Sequence, residues 1–356
     1  MFAGTAAVLM AAVLFFPLSA DAISAEKAIL LDTATGRVIF ERNADGRSLI
    51  ASTTKIMTAL VVCEQCNVLD RVRIPEEAVG IEGSSLYLRA GEVLTVQELL
   101  YGLMLHSGND AAVALAIYCG GTVEGFAQLM NDEAARIGLT NTHFVNPHGL
   151  DAPNHHSTAR DLALLAAYAM DNPIFRQTVS TRTVTVGNRS LRNHNKLLWQ
   201  VEGADGVKTG FTKAAGRILV SSATRQGRRL VAVTINAPDD WADHAALLED
   251  GFSKYHVETI LSVGECLGTA EVEGGENAYV QLLAAEDFSY PLAEGEQVTI
   301  TPIGSGFVYA PVVAGADAGF AWVKVDGKAV GKVAMHYGET IERIPEETSF
   351  WDRIFS

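Results

Sequence analysis

The hydrophobic pattern of the chain changes twice, and this limits the folds available to it. Short apolar segments at 28–32 and 37–42 flank a turn that ends in Gly36. Between 52 and 170 the apolar positions recur at helical spacing, and after 207 the segments again read as extended. A segment pair around a turn predicts a β-hairpin, and helical spacing predicts helices. The pattern therefore predicts an α/β (α+β) domain in which a mainly antiparallel sheet joins both ends of the region and is flanked by helices.

Caps and breaks place the individual elements of this region. A helix is expected to begin at Ser52, and the loop 106–109 is expected to separate two further helices. Gly138 ends a fourth helix, and Thr158 provides an N-cap for a fifth. Strands are predicted over 28–32, 37–42, 207–211, 217–223 and 230–236, and helices over 52–66, 96–105, 110–118, 126–137, 158–170 and 240–255.

The composition changes again after about residue 262. Short apolar alternations, such as 279–282, 297–300 and 321–325, are separated by Gly-rich turns. This predicts a small all-β C-terminal domain over 263–344, following a first domain over 23–262. Its segments carry no grouping of catalytic residue types, so the chemistry is expected in the first domain.

Both ends of the chain carry apolar segments outside these domains. No charge precedes Asp21, and the apolar run is followed by small residues at 20 and 22. This predicts a signal peptide over 1–22 and an exported protein of the cell envelope, although no Lys or Arg precedes the run. A retained anchor or a buried helix is the alternative. Residues 345–356 form a short amphipathic tail that cannot span a membrane, which leaves open a peripheral membrane contact or packing against the domain.

The charge of the chain limits its partners. There are 27 Lys and Arg against 42 Asp and Glu, and the formal net charge is -15. Nucleic acid is therefore excluded as a partner, because binding to phosphates requires concentrated basic side chains. A single local basic pocket is still compatible with this total.

The first chemical motif is Ser-Thr-Thr-Lys at 52–55. A step of three residues on a helix places Ser52 and Lys55 on one face. A serine hydroxyl needs a base before it attacks, and a lysine is a base only when its amine is neutral. The positive end of the helix dipole, burial and a second nearby cation all favour the neutral amine. On its own, this spacing more often indicates a helix cap and a surface lysine.

The second motif is Ser-Gly-Asn at 107–109, in the loop between two predicted helices. Because Gly108 breaks the helix, the side chains of Ser107 and Asn109 are expected to face one cleft. The Ser107 hydroxyl is suited to passing a proton, and the Asn109 amide is suited to holding a carbonyl of the substrate.

The third motif is Lys-Thr-Gly at 208–210, followed by Phe211, on a predicted strand. An exposed strand edge pairs with an extended peptide. Lys208 supplies a positive charge for a terminal carboxylate, and Thr209 supplies a hydroxyl beside it. Gly210 leaves room for a close backbone approach, and the Phe211 N–H is a candidate oxyanion donor.

The order of the three motifs is more specific than any one of them. SxxK on a helix, then SxN on a loop, then KTG on a strand is the set found in penicillin-binding proteins and related β-lactamases. The chain resembles a low-molecular-weight penicillin-binding protein of the serine D-Ala-D-Ala carboxypeptidase family over about residues 24–262, and more loosely beyond. Further stretches similar to that family are LLD at 30–32, FVNPHGL at 144–150 and TARDLA at 158–163.

The resemblance implies an activity and a role for each motif residue. Ser52 attacks the bond between the two terminal D-alanines of a peptidoglycan stem pentapeptide, Lys55 accepts its proton, and Ser107 relays a proton to the leaving D-alanine. β-Lactam antibiotics are expected to acylate the same serine. The remaining motif residues are expected to bind the substrate: Asn109, Lys208, Thr209, Gly210 and Phe211.

Several alternatives share these motifs. A DD-endopeptidase or a β-lactamase would use the same residues, and a non-catalytic wall-binding or β-lactam-sensing module would keep the groove without turnover. His148, His155 and His156 raise the alternative of a Ser-His-Asp triad, which we reject because a lysine already lies one turn from the nucleophile. The reaction requires no metal and no cofactor.

Overall fold

A computed structural model describes residues 23–345 of the 356-residue chain. The described residues form two compact units, one ending at Phe252 and the other beginning at Ser253. The predicted signal peptide over 1–22 lies outside the described residues, and so does the predicted tail from 346 onward. Composition placed the domain boundary after residue 262, whereas the strand Tyr255–Leu261 pairs with Phe288–Ala293 and therefore belongs to the second unit.

The first unit combines helices with an antiparallel sheet. Its α-helices are α1 (Lys55–Gln65), α2 (Val96–Leu105), α3 (Asn109–Gly120), α4 (Val123–Ile137), α5 (Ala159–Asp171), α6 (Pro173–Ser180), α7 (Leu197–Gln200) and α8 (Asp240–Lys254). Its strands are β1 (Lys27–Asp32), β2 (Val38–Arg42), β3 (Arg71–Arg73), β4 (Val93–Thr95), β5 (Thr183–Val186), β6 (Arg189–Arg192), β7 (Ala204–Thr212), β8 (Gly216–Arg225) and β9 (Arg228–Ile235).

The main sheet has the strand order β2-β1-β9-β8-β7, and every neighbouring pair is antiparallel. Because β1 pairs with β9, the beginning of the unit lies next to its end, and the helical segment is inserted between them. The predicted α/β fold with a mainly antiparallel sheet is confirmed. Strand β7, which carries the KTG motif, is an edge strand of this sheet.

Helix α1 is buried along most of its length. All residues from Lys55 to Cys63 are buried, and the helix packs against α2, α3 and α5. A helix that is covered on all sides lacks a polar stripe, and Lys55 is the charged residue within 55–63. A lysine in such a position is rarely structural, because burial penalises its charge.

Side-chain caps fix where the neighbouring helices begin. Thr158 Oγ1 accepts a hydrogen bond from the Asp161 N–H at 3.0 Å, as predicted, and Thr95 forms a capping box with Glu98 at the start of α2. Helix α4 ends at Gly138, whose φ of 88° is the left-handed conformation common at helix ends.

The segment 52–66, predicted as one helix, consists of two elements. Ala51–Thr54 is a 3₁₀ turn, and α1 begins at Lys55. Ala51 has a left-handed φ of 45°, and the Thr53 N–H donates to the Ile50 carbonyl at 3.2 Å. In 3₁₀ geometry residues three apart lie directly above each other, so Ser52 and Lys55 still share one face. Helices α6 and α7 and the hairpin β5–β6 were not predicted.

The second unit is built from strands, which confirms the predicted all-β architecture. One sheet has the order β14-β16-β17-β12-β11-β15, and β10 pairs with β13. The strands are β10 (Tyr255–Leu261), β11 (Cys266–Glu273), β12 (Tyr279–Ala284), β13 (Phe288–Ala293), β14 (Val298–Ile303), β15 (Phe307–Tyr309), β16 (Asp317–Val325) and β17 (Lys328–Tyr337).

Between residues 23 and 345, no single helix has both the length and the hydropathy needed to cross a membrane. Helices α3 and α4 meet these two criteria only as a pair, which is bent by 82°.

His244 on α8 makes the stability of the first unit depend on pH. Its Nδ1 lies 2.6 Å from Ser221 Oγ, and its Nε2 lies 2.8 Å from Thr234 Oγ1. Burial lowers the pKa of His244 from 6.5 to about 3. The unfolded chain therefore binds the proton more tightly than the folded one. Neutral His244 therefore makes its full contribution to the free energy of unfolding above pH 6.5, and this contribution is lost as the pH falls towards 3.

We expect this residue to lower the free energy of unfolding by about 2 kcal/mol between pH 7 and pH 5. Chemical denaturation of the wild type and of His244→Gln at both pH values measures the effect. The variant loses two buried hydrogen bonds and should be less stable at pH 7, but its further loss at pH 5 should be smaller. Equal pH-dependent losses in both proteins would contradict the assignment.

Candidate active site

Lys55 connects three separate segments of the first unit. Its Nζ lies 3.1 Å from Ser52 Oγ, 2.7 Å from Asn109 Oδ1 and 2.6 Å from the His148 carbonyl oxygen. The Asn109 amide is held in the orientation that this contact needs, since its Nδ2 donates to the Glu82 carbonyl at 2.5 Å. The two residues of the first motif, Ser52 and Lys55, and Asn109 of the second motif therefore meet at the buried Lys55 amine.

The surroundings of Lys55 favour its neutral form. Burial lowers the pKa of Lys55 well below 10.5, the positive charge of Lys208 lowers it further, and Asp110 acts in the opposite direction. A neutral amine has two N–H groups and one lone pair. Asn109 Oδ1 and the His148 carbonyl are acceptors only, so they take the two N–H groups. The lone pair is left for the hydroxyl proton of Ser52.

The second motif lies in the loop between α2 and α3. The hydrogen bonds of Asp110 hold this loop against the 84–88 segment. Ser107 is buried and adopts a left-handed φ of 65°. Asp110 Oδ1 accepts from the Leu86 N–H at 3.0 Å, and its Oδ2 accepts from Ser85 Oγ at 2.7 Å. The Asn109 N–H donates to the Ser84 carbonyl at 2.7 Å. These bonds join the motif to the 84–88 segment, a connection that the sequence analysis missed.

The third motif lies on β7, next to the 3₁₀ turn that carries Ser52. A Cβ atom at Gly210 would lie 3.2 Å from the Thr53 nitrogen and 3.3 Å from the Ser52 nitrogen, so a side chain there would separate the two segments. Lys208 is buried, and its Nζ donates to the Thr209 carbonyl at 2.8 Å. Burial lowers the pKa of Lys208 from 10.5 to about 7.

All three motifs converge on one crevice of about 330 Å³. Lys55, Asn109 and Lys208 are buried and are not among its lining residues, but each lies next to one of them. The crevice is lined by Ser52, Ser84, Ser107, His194, Thr209, Gly210, Phe211, Arg217, Asp240 and Trp241.

Five of these lining residues were missed by the sequence analysis: Ser84, His194, Arg217, Asp240 and Trp241. They come from segments with no motif spacing, and only the fold brings them together. Arg217 and Asp240, which both line the crevice, form an ion pair at 2.5 Å.

The histidines do not form a triad with Ser52. His155 Nε2 lies 2.8 Å from Thr54 Oγ1, and its Nδ1 accepts from the Val145 N–H at 3.0 Å. The His148 ring accepts from the Leu150 N–H at 3.1 Å, and the contact of this residue with Lys55 is made by its backbone.

Comparison with known proteins decides the family. Residues 16–239 match the family model described as D-alanyl-D-alanine carboxypeptidase. The chain belongs to the D-alanyl-D-alanine carboxypeptidase family. Residues 255–343 match a second model, the C-terminal domain of penicillin-binding protein 5.

Individual members of the D-alanyl-D-alanine carboxypeptidase family align with most of the chain. DacC of Escherichia coli (strain K12) is 34% identical over 355 residues, which cover 94% of this chain and 88% of DacC. DacF of Bacillus subtilis (strain 168) is 32% identical over 335 residues, covering 90% and 86%. The crystal structure of penicillin-binding protein 5 from Haemophilus influenzae superposes with a TM-score of 0.76 at 31% identity, covering 90% and 98%. The predicted family, fold class and enzyme class, a serine-type carboxypeptidase, are confirmed.

A substitution at Gly149 would test whether the loop that contains His148 holds the Lys55 amine in place. Its φ is 90°, and a Cβ atom there would overlap the Ala51 carbonyl oxygen. Gly138 has a similar φ of 88°, but a Cβ atom there would meet nothing within 4 Å. Both substitutions by alanine carry the same backbone strain, so the difference between them isolates the overlap.

We expect Gly138→Ala to cost about 1 kcal/mol of stability and to leave acylation of Ser52 unchanged. Gly149→Ala should displace the 3₁₀ turn and the His148 carbonyl, and slow acylation at least about tenfold. Thermal unfolding and the acylation rate with a fluorescent penicillin measure both effects. Equal acylation rates in the two variants would show that this loop does not position the site.

Proposed function

We propose that this enzyme removes the terminal D-alanine from peptidoglycan stem pentapeptides through an acyl-enzyme on Ser52. The observation that carries the proposal is the position of Lys55 Nζ, 3.1 Å from Ser52 Oγ, with both of its N–H groups directed to other acceptors. A serine hydroxyl beside an unprotonated amine is a nucleophile with its own general base.

In the first step Ser52 Oγ attacks the carbonyl carbon between the last two D-alanines, and its proton passes to Lys55. Negative charge develops on the carbonyl oxygen, and we assign the N–H groups of Ser52 and Phe211 to stabilise it. The absence of a side chain at Gly210 supports this assignment, because it lets β7 approach the turn that carries Ser52.

In the second step the peptide bond breaks, and the departing D-alanine needs a proton on its amine. Ser107 lines the crevice with Ser52 and is assigned to relay that proton from Lys55. Water then attacks the ester carbonyl, with Lys55 again accepting a proton, and Ser52 is released.

Asn109 has a different role in this proposal from the one expected from its motif. Its Oδ1 accepts from Lys55 at 2.7 Å, and its Nδ2 donates to the Glu82 carbonyl at 2.5 Å. Both polar ends of the side chain are therefore engaged within the protein. We assign Asn109 to orienting Lys55, which leaves Thr209 and β7 to hold the peptide backbone.

The carboxylate of the substrate is assigned to the Lys208–Thr209 end of the crevice. The Thr209 hydroxyl is the direct donor, and buried Lys208 supplies positive charge from behind. β-Lactams have a carboxylate and a strained amide in a similar arrangement, so we propose that they acylate Ser52. A peptidoglycan substrate requires a location in the cell envelope, in agreement with the predicted signal peptide, and residues 345–356 are the proposed site of any peripheral membrane contact.

Replacement of the nucleophile tests the proposal directly. We expect the wild type to release D-alanine from a stem pentapeptide and to gain the mass of one penicillin molecule. Ser52→Ala should show neither, with release reduced by about 10⁴-fold or more. An enzymatic D-alanine assay and intact-protein mass spectrometry measure these outcomes. A penicillin adduct on Ser52→Ala would exclude Ser52 as the nucleophile.

The alternatives give different results in the same assays. Cleavage of a cross-linked peptide dimer without D-alanine release would favour an endopeptidase, and rapid turnover of penicillin would favour a β-lactamase. A wall-binding or sensing module would bind without releasing D-alanine.

Lys208 is expected to affect reaction with anionic ligands and its pH dependence. Lys208→Ala should slow acylation by carboxylate-bearing β-lactams about tenfold, since the positive charge behind Thr209 is lost. In the wild type, kcat/KM should fall as the pH rises through about 7, where Lys208 loses its proton. This decline should be absent from Lys208→Ala. Identical acylation rates and pH profiles in the two proteins would contradict the role assigned to Lys208.

A further inference from the structure

A second groove continues from the crevice. It has a volume of about 700 Å³, and His194 lines both cavities. Its lining contains no Asp or Glu, although the net charge of the chain is -15. We call it the basic groove, and it is lined by His106, Ser190, Arg192, Asn193, His194, Lys196, Trp199 and Gln200.

The side chains of the segment 192–196 alternate between exposed and buried. Arg192, His194 and Lys196 are exposed, whereas Asn193 and Asn195 are buried. The Asn193 amide donates to two backbone carbonyls near the end of α6, at 3.1 and 3.0 Å. The Asn195 amide donates to a backbone carbonyl on β7 at 2.7 Å. The buried asparagines thus fix the backbone from which the basic side chains project.

The cations of the groove are available to a ligand. Among the described residues, the ion pairs do not include Arg192 or Lys196. The guanidinium groups of Arg192 and Arg182 lie 4.8 and 5.9 Å from the Trp199 ring centroid. Stacking on an aromatic ring orients a guanidinium and leaves its charge unneutralised. A carboxylate is the complementary group.

Lys196 connects the basic groove with the crevice. Its Nζ lies 5.8 Å from the ring centroid of Trp241, which lines the crevice. The acidic residue of the crevice, Asp240, is already paired with Arg217 at 2.5 Å, so it does not neutralise Lys196. The ammonium group of Lys196 therefore lies in the groove, near the Trp241 wall of the crevice, without an ion-pair partner among the described residues.

The basic groove lies at the end of the crevice that, in the proposed function, binds the departing residue of the substrate. His194, which lines both cavities, is followed by Asn195, whose amide donates to the Gly206 carbonyl at 2.7 Å, two residues before Lys208 on β7. In the proposed function the Lys208 end of the crevice receives the terminal carboxylate. The groove therefore extends beyond the residue that leaves.

We infer that the basic groove binds an acidic side group on the leaving residue of the peptide, with Lys196 and Arg192 as the charged partners. This inference rests on the proposed function and specifies its substrates: peptides whose leaving residue carries a second carboxylate. The acyl-transfer step is unchanged, since that residue departs as a free amine just as D-alanine does.

Three synthetic peptides of the form diacetyl-L-lysyl-D-alanyl-D-X test the inference, with D-alanine, D-glutamate or D-glutamine as X. Glutamate and glutamine have the same shape and differ in charge. In the wild type, kcat/KM should be about three- to tenfold higher for D-glutamate than for D-glutamine, the range expected for partly exposed ion pairs. In Arg192→Gln/Lys196→Gln this ratio should fall to about one.

A matched control removes two positive charges elsewhere. Arg71 and Lys328 are exposed and belong to strands distant in sequence from the groove. Arg71→Gln/Lys328→Gln should keep the wild-type ratio. A ratio of one in the wild type, or an equal loss in both double variants, would overturn the inference. Absence of D-alanine release by the wild type would instead contradict the proposed function.

Discussion

The burial of the Lys55 amine is the constraint on which the rest of the first unit depends. Burial disfavours the ammonium form, so the amine is held by neutral acceptors rather than by a carboxylate. These acceptors, Asn109 Oδ1 and the His148 carbonyl, come from the start of α3 and from the loop before α5. The packing that buries α1 and the hydrogen bonds that direct the Lys55 lone pair to Ser52 are therefore the same arrangement. A change that loosens the helical core would also displace the Lys55 amine, which we propose as the proton acceptor.

The backbone around the site is strained where the reacting groups are placed. Ala51, which precedes the proposed nucleophile Ser52, has a φ of 45°, and Ser107 has a φ of 65°. A left-handed conformation costs a residue other than glycine about 1 kcal/mol or more. Local hydrogen bonds offset this strain at Ser107. Asp110 accepts hydrogen bonds from Ser85 and Leu86 and so holds the segment next to Ser107 in place. Strain of this kind persists only where surrounding contacts fix the segment, and here the fixed segments carry the motifs.

The sequence predicted the parts of the site that have side-chain signatures. The three motifs, the helix Val96–Leu105 and the Thr158 cap are all visible as residue types at fixed spacing. The role of the His148 carbonyl was not predictable, because a backbone acceptor has no sequence signature. The 3₁₀ turn at Ser52 and the full engagement of Asn109 depend on tertiary contacts that a local pattern does not contain. The domain boundary was misplaced for the same reason, since the pairing of Tyr255–Leu261 is a long-range property.

The two buried lysines of the site, Lys55 and Lys208, lie in different positions, and we therefore propose different roles for them. Burial lowers the pKa of Lys208 to about 7, and its charge is the second cause, after burial, that lowers the pKa of Lys55. Two ammonium groups near each other in a poorly solvated site repel, so the positive charge of Lys208 favours the neutral form of Lys55. The Lys55 amine contacts Ser52 Oγ, and the Lys208 amine contacts the Thr209 carbonyl. In the proposed mechanism the same residue type thus supplies a base beside Ser52 and a cation beside Thr209.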